Sequence, residues 1–73
     1  MLTTNETKAI EWIEAQLLKP NAQFKLKDGI YINDLHSCLK SQKERILFGI
    51  DPLRRLAFLR VREIKNYLNE QAK

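Results

Sequence analysis

Basic residues able to bind phosphate are concentrated in the last third of the sequence. Residues 52–73 contain six of the thirteen lysines and arginines but only two acidic residues, so this segment carries a charge equal to the net +4 of the whole chain. Lysine and arginine neutralise phosphates and release condensed counterions, and arginine and asparagine can form paired hydrogen bonds with base edges. The composition of the segment therefore predicts a nucleic-acid partner, with double-stranded DNA as the favoured form.

An aromatic residue lies among these basic residues when the segment is projected as a helix. At about 100° per residue, Phe58 falls on the side away from the apolar stripe, where it could stack on a base. The predicted inward stripe is Leu53, Ala57, Val61, Ile64 and Leu68, with Leu56 and Tyr67 at its margin. The predicted nucleic-acid contacts are Arg54, Arg55, Phe58, Arg62, Lys65 and Asn69, with Lys40 and Lys43 of the preceding helix as phosphate anchors.

Two other interpretations compete with this prediction. A helix with basic residues on its outer side is commonly just a solvated face, and Glu63 and Glu70 lie on the same flank. Alternatively, Phe58 and Leu59 form an apolar pair outside the stripe, which is typical of a subunit or partner contact. In that case the chain would be a non-enzymatic protein-interaction module, such as an adaptor, an antagonist or a homodimer.

The residues that most often perform catalysis or bind metals are not arranged for either task. His36 and Cys38 are the only residues of their types, and on a helix they would point about 200° apart. A single cysteine forms no disulfide or cysteine metal cluster within one chain, and it belongs here to an apolar stripe, where its thiol is protonated. Asp28, Asp34 and Asp51 lack the spacing of a calcium loop. We therefore expect that the protein is not an enzyme and that it has neither a cofactor nor a metal site.

Three helices are predicted to position the basic segment. Thr3 and Glu6 match a capping box, which predicts a first helix from about Thr4 to Leu18 with Trp12 at the edge of its buried side. Asn33 is the predicted N-cap of a second helix, from about Asp34 to Leu47. A third helix follows a tight turn, with Asp51 as cap and Pro52 at its first position, and continues to about Gln71. Arg60, near the inward stripe, is expected either to extend its guanidinium to the surface or to pair with a carboxylate of the first helix such as Glu6 or Glu14.

The segment between the first two helices has the alternation of a short β-hairpin. Phe24, Leu26, Ile30 and Ile32 share one face if the loop has three residues and ends at a left-handed Gly29. An extended connector without strands is the alternative. The predicted fold class is therefore mainly α, with residues 1–73 forming one compact three-helix domain. The order of its elements resembles a helix-turn-helix or, if the hairpin forms, a winged-helix arrangement. The apolar runs are too short for a membrane span and no signal pattern opens the chain, so we expect a soluble, cytoplasmic protein.

Overall fold

Three helices and one two-stranded hairpin follow each other along residues 2–71, the part of the chain that the computed structural model describes. The elements are α1 (Thr4–Leu17), β1 (Phe24–Lys25), β2 (Tyr31–Ile32), α2 (Leu35–Phe48) and α3 (Leu53–Gln71). The predicted mainly α fold, with a hairpin between the first two helices, is confirmed. Lys73, which contributes to the basic charge of the last segment, lies outside the described residues. Within residues 2–71, no helix is both long enough and apolar enough to cross a lipid bilayer.

The start of α1 follows from four residues of local sequence. The backbone amide of Thr3 donates a 2.9 Å hydrogen bond to the Glu6 carboxylate, and the Glu6 amide donates a 3.1 Å bond to the Thr3 hydroxyl. These two bonds form the predicted capping box and satisfy amides that have no partner inside the helix. The bond from the Thr3 amide is the main reason that the pKa of Glu6 lies below its usual value.

The hairpin has the predicted three-residue loop. Phe24 pairs with Ile32 and Lys25 with Tyr31 in an antiparallel ladder, and the Leu26 amide donates a 2.9 Å bond to the Ile30 carbonyl. Gly29 closes the loop at a φ of +90°, a conformation that residues with a Cβ rarely adopt. The register turns Leu26 into the core, with Phe24 and Ile32 half-buried, while Ile30 remains exposed.

Both later helices begin one residue after their predicted positions. The N-cap of α2 is Asp34 and not Asn33, because the Asp34 carboxylate accepts hydrogen bonds from both the amide and the hydroxyl of Ser37, at 3.0 and 2.9 Å. α3 begins at Leu53 and not Pro52. Within the described residues the Asp51 side chain accepts no hydrogen bond, so the predicted cap is wrong, and the Arg54 amide donates to the Ile50 carbonyl.

The core lies where the three helices and the hairpin meet. Its buried apolar residues are Ile10 and Ile13 of α1, Leu26 of the hairpin, Leu35, Leu39 and Ile46 of α2, and Ala57, Val61 and Ile64 of α3. The predicted inward position of Leu53 is wrong: Leu53 is 56% exposed, and its neighbour Leu56 is 58% exposed. The first turn of α3 lies at the corner with the end of α2, and Ala57, one turn later, is the first α3 residue to reach the core.

Candidate functional site

The surface of α3 is divided among three sides with different chemistry. The inward side carries the buried residues Ala57, Val61 and Ile64. By helical position, Phe58, Arg62 and Lys65 lie on the flank next to α1, whereas Leu56, Leu59 and Arg60 lie on the flank next to α2. The two outer flanks border separate grooves.

The flank next to α1 borders a groove of about 370 Å³, called here the cationic groove. Its lining residues are Asn5, Lys8, Ala9 and Trp12 of α1 with Phe58, Val61, Arg62 and Lys65 of α3. Three of them are cations and none is acidic. Lys8, Arg62 and Lys65 take part in none of the ion pairs formed within residues 2–71. The groove is therefore a concentration of uncompensated positive charge.

The helical projection predicted that Phe58 would be exposed to solvent, and this prediction is wrong. Phe58 is half-buried and lines the cationic groove together with Trp12 of α1, which is also half-buried. The projection was wrong because it treats α3 alone, and the flank that carries Phe58 is covered by a second helix. The two rings and Val61 thus form an apolar floor, against which the stems of lysine and arginine can pack while their charges remain at the rim.

Only three of the eight predicted contact residues lie in this groove: Phe58, Arg62 and Lys65. Arg54 is half-buried on the same flank, and its charge contributes to the lowered pKa of Glu6, after the hydrogen bonds from Thr3. Arg55 is exposed on the outer side, one α-helical heptad before Arg62. Asn69 lines a different depression, beside the ion pair of Lys27 with Glu70.

The two predicted phosphate anchors of α2 have different surroundings. The Nζ atom of Lys43 lies 3.2 Å from a carboxylate oxygen of Glu14, so its charge is compensated by α1. Lys40 is exposed and takes part in no ion pair within the described residues. Neither residue lines the cationic groove.

Arg60 pairs with carboxylates other than the predicted ones. Its Nη1 atom lies 3.2 Å from a carboxylate oxygen of Glu63 and 3.7 Å from one of Asp28 in the hairpin loop. Glu6 and Glu14 belong to α1, on the other side of α3, and are therefore not its partners. The expected structural role of Arg60 is retained, but the carboxylates come from its own helix and from the hairpin.

The contribution of α1 to this site was not predicted from the sequence. Asn5, Lys8 and Trp12 all line the groove, and their spacing of three and four residues places them on one side of α1. That spacing is visible in the sequence. It could have suggested a polar and aromatic stripe beside the apolar one, but not that α3 would lie opposite.

The remaining candidates for chemistry stay apart. Burial raises the pKa of the Cys38 thiol, which keeps it protonated at neutral pH. Among the described residues there is no cluster of three or more histidine, cysteine or acidic side chains that could hold a metal ion. Comparison with protein-family models, curated proteins and solved structures found no match for this chain.

Proposed function

We propose that this protein binds nucleic acid through the cationic groove, with Lys8, Arg62 and Lys65 as the phosphate contacts. The observation that carries the proposal is the lining of the groove: three cations without ion-pair partners in residues 2–71 and no carboxylate beside them. A surface of this kind attracts a polyanion because each phosphate it neutralises releases condensed counterions. Cations without an ion-pair partner in residues 2–71 also occur elsewhere, as at Lys40, Arg45 and Arg55, but in the cationic groove three of them line one cavity that no carboxylate borders.

The arrangement of α3 supports a duplex as the ligand. Arg55 and Arg62 lie on the same side of α3, seven residues and about 10 Å apart along the helix axis. Arg55 thus extends the positive surface beyond the groove toward the start of α3. α2, a turn of four residues and α3 follow one another as in a helix-turn-helix, in which the second helix enters the major groove.

The aromatic residues are assigned a supporting role. Phe58 and Trp12 are both half-buried, so little of either ring is available for stacking on an unpaired base. We therefore attribute binding chiefly to the cations, which recognise a phosphate backbone without reading the sequence. This favours double-stranded DNA over a single strand, and it predicts weak sequence preference.

A salt titration tests the proposal directly. We expect a fluorescently labelled duplex of about 20 base pairs to bind with an affinity that falls steeply between roughly 50 and 200 mM salt, with a logarithmic slope of about −3 or steeper for three or more phosphate contacts. The single strand of the same sequence should bind more weakly. Tighter binding of the single strand would shift the function to stacking on Phe58 and Trp12, and no binding to either at low salt would contradict the proposal.

Phe58 and Leu59, the pair named in the protein-interaction alternative, line different grooves. Phe58 lines the groove with α1, whereas Leu59 lies on the other flank, beside Leu53 and Leu56. A partner that contacts Leu59 would therefore meet a different set of residues, separate from the cationic groove.

A further inference from the structure

Large apolar side chains are exposed together at the corner between α2 and α3. We call this surface the apolar corner and define it by Phe48, Ile50, Leu53, Leu56 and Leu59. Phe48 and Ile50 are 82% and 76% exposed, and Leu59 is 45% exposed. Leu53, Leu56 and Leu59 also line a groove with Gln42 and Arg45 of α2. Single exposed leucines are ordinary, whereas large apolar residues exposed at one corner are typical of an interaction site.

We propose that the apolar corner is the contact between two copies of this chain. In this dimer the α3 helices run antiparallel, and the two-fold axis passes beside Leu56. The proposal goes beyond nucleic-acid binding and does not depend on it, because the apolar corner and the cationic groove lie on opposite flanks of α3.

The spacing of the leucines is self-complementary in this arrangement. Leu53 and Leu59 lie three residues before and after Leu56 on the same flank. When two α3 helices cross antiparallel at Leu56, Leu53 of each copy faces Leu59 of the other, and the two Leu56 side chains meet on the axis. A two-fold interface requires this property, since each residue must find its partner on an identical surface.

The apolar area is sufficient for a small dimer interface. The five side chains together expose on the order of 500 Å², given that a fully exposed side chain of this size presents roughly 150–200 Å². This is about a tenth of the 5285 Å² surface of the described chain. With a polar rim added on each copy, two such surfaces reach the lower end of specific interfaces, about 1,200 Å² in total.

Charges at the edge of the apolar corner favour a second copy over a strongly acidic or basic partner. Arg45 is exposed near this corner, and so are Glu44 and Asp51. None of the three takes part in an ion pair within residues 2–71. A rim with both signs can pair with its own copy in a two-fold arrangement, whereas a partner of one sign would meet like charges there.

Sedimentation equilibrium of the full chain tests whether a dimer forms. We expect the average mass to rise from that of the monomer toward twice that value between about 1 µM and 1 mM, the range of a weak interface. Leu56→Glu should keep the chain monomeric throughout. Leu18→Glu is the matched control, since Leu18 is 90% exposed at the end of α1, away from the apolar corner. This variant should dimerise as the wild type does.

Three outcomes would overturn the proposal. A wild-type chain that is still monomeric at about 1 mM leaves the apolar corner to a partner of another sequence. Equal dimerisation by the Leu56→Glu variant places the contact elsewhere, provided that far-UV circular dichroism shows the same helix content. Loss of dimerisation in both glutamate variants indicates non-specific association of exposed apolar residues.

Disulfide trapping tests the antiparallel arrangement itself. We expect Leu56→Cys to form a covalent dimer on mild oxidation, because the two positions meet on the axis. Leu53→Cys alone should not, since its two copies would lie about 9 Å apart along the helices, beyond the range of a disulfide. An oxidised mixture of Leu53→Cys and Leu59→Cys should form the mixed dimer. The wild type, which retains the half-buried Cys38, is the control. Efficient trapping of Leu53→Cys alone would overturn the arrangement.

Discussion

The side-chain amide of Asn21 donates a 2.7 Å hydrogen bond to the carboxylate of Asp34, the N-cap of α2. The Asn21 carbonyl in turn accepts a 2.9 Å bond from the backbone amide of His36. One asparagine in the loop after α1 thus joins the cap and the first turn of α2. It holds the loop against α2 together with the bond from the Leu35 amide to the Ala22 carbonyl.

We expect Asn21→Ala to lower the free energy of unfolding by about 1–2 kcal/mol, because several hydrogen bonds at the start of α2 are lost together. Asn33→Ala is the matched control. Asn33 was the predicted cap, but its side chain forms no hydrogen bond within the described residues, so this change should cost less than about 0.5 kcal/mol. Urea unfolding measures both values. A greater loss for Asn33→Ala would contradict the assignment of the cap to Asp34.

The stability of the fold should decrease in acid because the capping carboxylates of Glu6 and Asp34, whose pKa values are both lowered, become protonated. Hydrogen bonds from the Ser37 amide, and next from Asn21, lower the pKa of Asp34 below its ordinary value of 3.8. A carboxylate with a lowered pKa in the folded state stabilises the fold above the unfolded pKa, and the effect is lost as pH falls through the folded pKa. We expect the urea midpoint to drop below about pH 4. The drop should be smaller in Asp34→Asn, which can still cap α2 but does not titrate.

The two glycines are required for different reasons, and asparagine distinguishes them. A Cβ on Gly49 would overlap the backbone carbonyl of Arg45, to which the Gly49 amide donates a 2.9 Å bond. Gly29 has open space around it but a φ of +90°. We expect alanine to destabilise the chain by about 1–3 kcal/mol at either position. Gly29→Asn should recover part of that loss, since asparagine tolerates positive φ, whereas Gly49→Asn should not. Equal recovery in thermal unfolding at both positions would contradict the steric reason.

The proposed contribution of α1 to nucleic-acid binding can be tested with one lysine. We expect Lys8→Ala to make the logarithmic salt dependence of duplex binding shallower by about one unit, because one phosphate contact is lost. Lys19→Ala removes an exposed lysine at the other end of the α1 region, outside the cationic groove, and should leave the slope unchanged. Equal effects of the two variants would indicate attraction by net charge alone.

Lys43 and Lys65 provide a second comparison. Lys43 is 3.2 Å from Glu14, whereas Lys65 lines the cationic groove without an acidic partner in residues 2–71. We therefore expect Lys65→Ala to weaken duplex binding severalfold and Lys43→Ala to change it less than twofold, as measured by fluorescence anisotropy at about 50 mM salt. The reverse order would restore Lys43 to its predicted role as a phosphate anchor and remove the groove from the binding site.

The parts of this fold that sequence rules predicted are governed by neighbouring residues. The capping box of Thr3 and Glu6 and the three-residue loop ending at Gly29 both depend on hydrogen bonds over two to four residues. The N-cap of α2 was misplaced by one residue because its choice depends partly on Asn21, thirteen positions away. The residues on either side of Asp34 do not indicate that Asn21 contacts it.

The candidate site was harder to predict for the same reason. A helical projection correctly placed Phe58, Arg62 and Lys65 on one flank of α3, but it could not show that α1 lies against this flank and half-buries Phe58. It also placed Leu53 in the core, although the corner between α2 and α3 leaves Leu53 exposed. Angular position follows from sequence, whereas the neighbour on each side follows from tertiary packing.

The three-sided division of α3 makes the helix more tolerant of substitutions than of changes in length. Loss or gain of one residue near Leu56 would rotate the rest of α3 by about 100° relative to its first turns. Leu59 would then be moved toward a different neighbour, and after the loss of one residue Arg62 and Lys65 of the cationic groove would take the inward positions of Val61 and Ile64. We expect natural variants of this chain to keep the spacing from Leu53 to Lys65 constant.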